Sequence, residues 1–279
     1  MNINDYELYT GEPNSIHPNG RVFYKTFYFD TLNDFKNRRV RVYLPSTYDF
    51  NDPNKRFKTI YMLDGKNLFD DYTSFVGEWG IDESIEDIIS NNEGDGYIVI
   101  GIDAPETDID RSLEMSIEGL TRNNKHRLGE GYAYKLGDFI FKTVKPDIDK
   151  TFFTKSDKES TGVGGSSMGG LMAFYLAMEY PQYIKYSLAF SPAFFLFNWD
   201  SLKRYLDKKV NKHCPKIYFY IGGKGFERVF VESTLRVYNY FLMRKFSHND
   251  TKLLYDSDKE HNEKAWREYF PLMIRRIDQ

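Results

Sequence analysis

The chain has 279 residues, of which 41% are hydrophobic, 17% aromatic and 28% charged. This mixture excludes an intrinsically disordered chain and predicts a large buried core in a single domain spanning residues 1–279. Because 38 basic residues are balanced by 41 acidic ones, giving a net charge of -3 without a long basic run, a nucleic acid is not expected as a partner.

The cysteine content and the hydropathy of the chain limit which covalent links, metal sites and cellular locations are expected. The single cysteine, Cys214, excludes an internal disulfide and a multi-cysteine metal site. The first residues lack the basic and apolar regions of a secretory signal, and no apolar run approaches the roughly 18 residues of a membrane-spanning helix. We therefore expect a soluble, cytoplasmic protein without a membrane partner, whose oligomeric state the sequence does not indicate.

Strand-like and helix-like segments alternate along the chain. Val22–Phe29 and Arg39–Leu44 predict an antiparallel hairpin, since both are rich in aromatic and β-branched residues. Short apolar runs predict further strands at Lys58–Leu63, Tyr97–Ile102, Tyr186–Phe190, Lys216–Gly222 and Thr251–Tyr255. Apolar residues three to four apart predict helices at Ile81–Ser90, Tyr132–Val144, Gly169–Tyr180 and Phe230–Phe246. The expected fold is α/β: a mostly parallel central sheet with helices on both faces, begun by the antiparallel hairpin.

One glycine-rich segment carries a chemical signal. Residues 162–170 read GVGGSSMGG, and Gly165 to Gly169 satisfy G-x-S-x-G with Ser167 at the centre. The spacing of the glycines fits neither a dinucleotide fingerprint nor a Walker A loop. Taken without its neighbours, the pentad could equally be a tight turn in which the serines have no chemical role. The preceding strand and following helix favour a nucleophile elbow, in which small flanking residues accommodate a strained serine.

A serine nucleophile needs a base, and His261 is the best placed histidine. The five histidines are His17, His126, His213, His248 and His261. In α/β-hydrolases the order along the chain is serine, acid, histidine, which leaves the last three. His213 and His248 precede predicted strands, whereas His261 follows the last one, at the edge of the sheet where Ser167 is expected.

The acid and the oxyanion donors complete the predicted catalytic machinery. Glu227 is the first acid after the strand Lys216–Gly222, although a solvated acid at a helix start explains it as well. Glu232, Asp256 and Asp258 are the other acids considered. Oxyanion donors are expected at the residue after the nucleophile, Met168, and in the loop after the third strand, at the Lys66 amide.

Several further segments match a known family. They are Tyr61–Asp70 (YMLDGKNLFD), Gly101–Asp103, Arg111–Glu114 (RSLE), Lys145–Asp149 (KPDID), Gly164–Leu171 (GGSSMGGL), Tyr180–Pro181, Ser191–Pro192 and His261–Trp266 (HNEKAW). With these segments the chain resembles, from about Arg39 onward, the esterase family of α/β-hydrolases that includes esterase D-like, feruloyl and acetylxylan, and enterochelin esterases. The resemblance implies Ser167 as nucleophile, His261 as base, and oxyanion amides at Met168 and after Asp64-Gly65. Family members often carry the acid closer to its strand than Glu227 lies.

The sequence and the resemblance together predict an α/β-hydrolase that cleaves small acyl, carbohydrate or aryl esters through an acyl-enzyme. No metal or organic cofactor is expected, since this chemistry needs neither a Lewis acid nor an electron sink. The resemblance places Arg111 and Glu114 near an acyl pocket, with a surface ion pair as the alternative. Trp79 is a candidate for lining the pocket; the alternative is that it packs in the core. Acyl transfer by the same residues and a catalytically inactive binding module are the rival functions.

Overall fold

The computed structural model describes residues 3–11, 20–30, 37–74, 77–123, 130–211 and 213–277. The strands are β1 (Glu7–Leu8), β2 (Arg21–Tyr28), β3 (Asn37–Leu44), β4 (Lys58–Leu63), β5 (Tyr97–Ile102), β6 (Thr161–Ser166), β7 (Tyr186–Phe190), β8 (Lys216–Gly222) and β9 (Thr251–Asp256). The helices are α1 (Ile81–Ser90), α2 (Asp108–Glu114), α3 (Ala133–Asp138), α4 (Lys145–Thr151), α5 (Met168–Glu179), α6 (Trp199–Lys209), α7 (Arg228–Met243) and α8 (Glu263–Ile277). His17 and His126 lie outside the described residues.

The chain groups into two compact units, and each of them is discontinuous in sequence. The first comprises Met1–Ala104, Asp138–Thr161 and Asn262–Gln279, and the second comprises Pro105–Gly137 and Gly162–His261. The expectation of one domain over the whole chain stays a prediction.

The first unit contains the predicted hairpin and two parallel strands. Its strands lie in the order β1-β2-β3-β5-β4. β2 and β3 pair antiparallel along their whole length, from Arg21 opposite Leu44 to Tyr28 opposite Asn37. β3 is antiparallel to β5, and β5 is parallel to β4. The apolar strands β4 and β5 are buried nearly throughout, as expected for strands covered on both faces.

The second unit contains four adjacent parallel strands, β6-β7-β8-β9. Strands that run in the same direction end at the same edge of the sheet. The segments that follow β6, β7, β8 and β9 therefore start from one edge, and they carry Ser167, Ser191, Glu227 and His261 respectively. Parallel strands with intervening helices after an antiparallel hairpin confirm the predicted α/β class.

The structure corrects some predicted helices. The predicted helix Tyr132–Val144 runs on: α3 passes through a π-helical segment, Phe139–Val144, into α4, which ends at Thr151. Pro146 does not stop the helix; it lies in the first turn of α4, directly after the π-helical segment. α2, α6 and α8 were not predicted. No helix among the described residues is long and apolar enough to cross a membrane.

Candidate active site

Ser167 lies at the sharp junction between β6 and α5. Its backbone angles are φ 58° and ψ -117°, a conformation that costs energy for a residue with a side chain. Hydrogen bonds hold this conformation from both sides: the Ser167 amide donates to the Phe190 carbonyl at 3.0 Å, and its carbonyl accepts from the Ala193 amide at 3.1 Å. The strained conformation of Ser167 is therefore fixed at the end of β6, as in a nucleophile elbow.

Gly165 explains why the elbow can form. A Cβ atom placed on Gly165 would lie 2.7 Å from the carbonyl carbon and oxygen of Gly169. This distance is shorter than any normal contact, so the chain passes here only because residue 165 has no side chain. Met168 begins α5, and its amide is one of those that have no acceptor within the helix.

Glu227 is completely buried, with 0% of its surface exposed. One carboxylate oxygen, Oε1, accepts hydrogen bonds from the Gly222 amide at 3.0 Å and from the Ser191 hydroxyl. The other, Oε2, is hydrogen-bonded to Nδ1 of His261. A buried carboxylate is stable only when such donors surround it, so Glu227 is not the solvated acid of the alternative interpretation.

His261 is oriented by its contact with Glu227. A carboxylate acceptor at Nδ1 favours the tautomer that carries its proton on Nδ1, which leaves Nε2 as a proton acceptor. The Phe230 ring stacks on the imidazole at a centroid distance of 4.3 Å, and the Phe226 ring meets it edge-on at 5.6 Å. The His261 side chain is 14% exposed.

The loop that carries His261 is tied to the end of β8. The amides of Gly223 and Lys224 donate to the Lys259 carbonyl at 3.1 and 2.9 Å. A Cβ atom on Gly222 would lie 2.5 Å from the Lys259 oxygen, and one on Gly223 would lie 2.8 Å from Ser257. Two consecutive glycines thus allow the loop to approach the segment that bears Glu227.

The remaining acids considered in the sequence have other contacts. The Glu232 side chain is 77% exposed and pairs with Arg236 at 2.6 Å. Asp256 accepts a hydrogen bond from the Asp258 amide at 2.9 Å within the β9 loop. Glu227 is thus the acid that the structure brings to Nδ1 of His261.

The segment Asp64-Gly65-Lys66 belongs to the first unit. Asp64 has φ 59° and ψ 51°, and a short 3₁₀ turn follows over Gly65–Asn67. A Cβ atom on Gly65 would lie 2.6 Å from Oδ1 of Asp103 and 2.8 Å from the Gly101 carbonyl carbon. Lys66 is exposed, and its carbonyl accepts from the Thr73 hydroxyl at 2.7 Å. Its role as an oxyanion donor stays a prediction.

The three predicted substrate contacts lie in different surroundings. Trp79, in the first unit, is 2% exposed and packs 5.5 Å from the Trp266 ring, as a core residue does. In the second unit, Arg111 and Glu114 lie on α2; Arg111 is half-buried and Glu114 is fully buried, at odds with a simple surface ion pair. Their place beside an acyl pocket stays a prediction.

Ser191 is a site residue to which the sequence assigned no role. It follows β7, is fully buried and has φ 44°. Its hydroxyl donates to Glu227, and its amide donates to the Tyr220 carbonyl at 2.8 Å. The dipeptide Ser191-Pro192 was visible in the sequence, but its partner Glu227 is 36 residues away.

Comparisons with known proteins cover most of the chain. The model of the Esterase family, described as "Putative esterase", matches residues 35–276. The uncharacterized protein YbbA of Bacillus subtilis (strain 168) is 27% identical over 145 residues, which are 52% of this chain and 52% of that protein. The chain therefore spans about half the length of the curated relative it matches.

Three solved structures have a similar fold. The BES protein from Bacillus cereus has a TM-score of 0.67 at 16% identity, with 97% of this chain and 99% of that chain covered. A ferulic acid esterase has a TM-score of 0.66 at 15% identity, covering 92% and 98%. S-formylglutathione hydrolase from Staphylococcus aureus has 0.64 at 14% identity, covering 93% and 99%. At these identities the likeness establishes the fold alone, which is the expected α/β-hydrolase fold.

Proposed function

Because the chain belongs to the Esterase family, we propose that it hydrolyses carboxylic esters through an acyl-enzyme intermediate on Ser167. The observation that carries the proposal is the Glu227–His261 hydrogen bond, made beyond the ends of β8 and β9. Ser167 follows the end of β6 in the same parallel group and has the strained backbone of a nucleophile elbow. The three residues also occur in the chain order serine, acid, histidine.

In the proposed reaction His261 first acts as a base. Nε2 takes the proton of the Ser167 hydroxyl while Oγ attacks the ester carbonyl carbon, and Glu227 stabilises the imidazolium that forms. The Met168 amide donates to the developing oxyanion, and the Lys66 amide is the predicted second donor. The carbon–oxygen bond to the alcohol breaks as Nε2 returns the proton to it. Water then attacks the acyl-enzyme in the same way and releases the acid.

The aromatic surroundings of His261 favour an ester that bears an aromatic group. The Phe226 side chain is 63% exposed although it lies against the imidazole and the Phe230 ring. Exposed rings beside a catalytic base offer stacking to a flat substrate group. Among small acyl, carbohydrate and aryl esters, we therefore propose aryl or aromatic-acid esters as the preferred substrates. The name of the ferulic acid esterase among the similar structures agrees with this choice.

Labelling with a fluorophosphonate tests the nucleophile directly. The wild type should be labelled at one serine and should hydrolyse p-nitrophenyl acetate, and Ser167→Ala should lose labelling and about a thousandfold or more of kcat/KM. Ser166→Ala is the matched control, because Ser166 is the adjacent buried serine and should be dispensable. Labelling of Ser166, or unchanged activity in Ser167→Ala, would refute the mechanism.

A further inference from the structure

Away from the candidate active site, three carboxylates of the first unit meet at the start of α1. Glu78 precedes the helix, and Asp82 and Glu83 lie in its first turn. One oxygen from each carboxylate lies within 4.8 Å of the others. Acidic side chains are common at helix N-termini, where the helix dipole stabilises them, so the surroundings decide whether this cluster is a site.

The charge of the cluster is only partly compensated. Arg267 of α8 places Nη1 3.1 Å from Oε1 of Glu78 and Nη2 3.3 Å from Oε1 of Glu83. One guanidinium would leave two negative charges if all three carboxylates were ionised. Water has little access to two of the carboxylates, because Asp82 is 1% exposed and the Glu78 side chain is 11% exposed, whereas the Glu83 side chain is 35% exposed.

Two oxygens of the cluster point to a missing ligand. Oδ1 of Asp82 and Oε2 of Glu83 are buried and have no hydrogen-bond partner among the described residues. A buried carboxylate oxygen without a donor is energetically costly, so native proteins rarely leave one unpaired. Arg267 occupies other oxygens of the cluster and does not satisfy these two.

We propose that Glu78, Asp82 and Glu83 bind a hard divalent cation of the calcium type. Two oxygens bound to one Ca²⁺ at roughly 2.3–2.6 Å lie at most about 5 Å apart, which accommodates the observed spacing. Mg²⁺, at roughly 2.1 Å from its ligands, would require the carboxylates to move closer together. The charge of +2 equals the deficit left by Arg267. The cation would fix the entry into α1, and it has no part in the esterase chemistry.

Terbium luminescence tests the site, because Tb³⁺ replaces Ca²⁺ at carboxylate sites and is sensitised by a nearby indole. Trp79 is adjacent to Glu78 in sequence, and Trp266 packs against it. Exciting tryptophan in the wild type should give saturable Tb³⁺ emission that excess Ca²⁺ abolishes. Asp82→Asn should weaken Tb³⁺ binding at least tenfold. Glu78→Gln, a change at a less buried residue, should weaken Tb³⁺ binding as well. It replaces Asp82→Asn as the test if that variant does not fold.

Glu93→Gln is the matched control. Glu93 and Asp87 form a second acid pair bridged by an arginine, Arg275, in the same unit but outside the cluster. This variant should bind Tb³⁺ as the wild type does, and Ca²⁺ should raise the melting temperature of both. Absence of saturable emission in the wild type, or emission in Glu78→Gln and folded Asp82→Asn equal to that of the wild type, would overturn the proposal and leave a proton-binding cluster.

Discussion

Ser191 is not a member of the proposed triad, but its hydroxyl holds the acid of the triad in place. Its hydroxyl and the Gly222 amide both donate to Oε1 of Glu227, while Oε2 is engaged by His261. The hydroxyl therefore fixes the carboxylate plane, and through it the imidazole. A hydrogen bond to a charged buried group is worth roughly 1.5–3 kcal/mol, so the loss of this donor should disturb the acid more than the local packing.

Ser191→Ala should lower kcat/KM for p-nitrophenyl acetate by about tenfold, equivalent to roughly 1.4 kcal/mol, with most of the loss in kcat. The substitution keeps the Cβ atom, so the backbone requirement at φ 44° is unchanged. Initial rates over a range of substrate concentrations separate kcat from KM. Ser187→Ala removes another buried hydroxyl of β7, one that donates to the Ala173 carbonyl at 2.9 Å, and should retain full activity. Equal losses in both variants would assign Ser191 a merely structural role.

The members of the proposed triad could be named from the sequence because each follows a recognisable strand. Ser167 is marked by its flanking glycines, and His261 by its position after β9. For Glu227 the sequence leaves a solvated acid as the alternative, since the burial of Glu227 and its contact with His261 depend on the tertiary structure. Ser191 received no role because nothing in Ser191-Pro192 indicates which distant side chain its hydroxyl meets.

Among the secondary-structure elements, buried strands were the easiest to predict. Lys58–Leu63, Tyr97–Ile102, Tyr186–Phe190 and Lys216–Gly222 have the predicted bounds, because short apolar runs end at polar or glycine residues there. The helices that were not predicted lack such a contrast between apolar and polar residues in the sequence. In α6 only three of eleven residues are buried. α8 contains Pro271, which normally argues against a helix, yet Trp266, Phe270 and Met273 are buried along it.

The first turn of α1 makes stability depend on pH. In the folded, metal-free protein the pKa of Asp82 is about 9, far above the roughly 3.9 of an unfolded chain. The folded state thus binds more protons between these values, so its stability is greatest at the acidic end of this range and falls as the pH rises towards 9. Glu83 and Glu78 act on the same carboxyl group, and Arg267 pairs with both of them.

Urea unfolding in the presence of a chelator checks this dependence. Between pH 6 and pH 9 the wild type should lose a free energy of unfolding on the order of 1–3 kcal/mol more than Asp82→Asn does, because the amide cannot ionise. Titrating groups outside the cluster are common to the two proteins and cancel in the difference. Parallel stability curves for the two proteins would mean that Asp82 stays ionised throughout.

On the scale of the whole molecule, the path of the chain bears on the number of folding units. The first unit takes up three separate segments and the second takes up two, so the chain passes between them four times. Neither unit can be completed from one continuous stretch of sequence. The last segment of the first unit, which contains α8, follows directly after His261, so the first unit is complete only when this segment has folded.

We therefore expect the whole chain to unfold in one cooperative transition, as the sequence-based prediction of a single domain requires. Tryptophan positions allow each unit to be followed separately: Trp79 and Trp266 are buried in the first unit, and Trp199 lies half-buried in the second. Trp199→Phe reports on the first unit alone, and the Trp79→Phe, Trp266→Phe double variant reports on the second. For each variant, the urea midpoint from fluorescence should coincide with that from circular dichroism of the same protein. Two separated midpoints within one variant would show that the units unfold independently and that residues 1–279 form two domains.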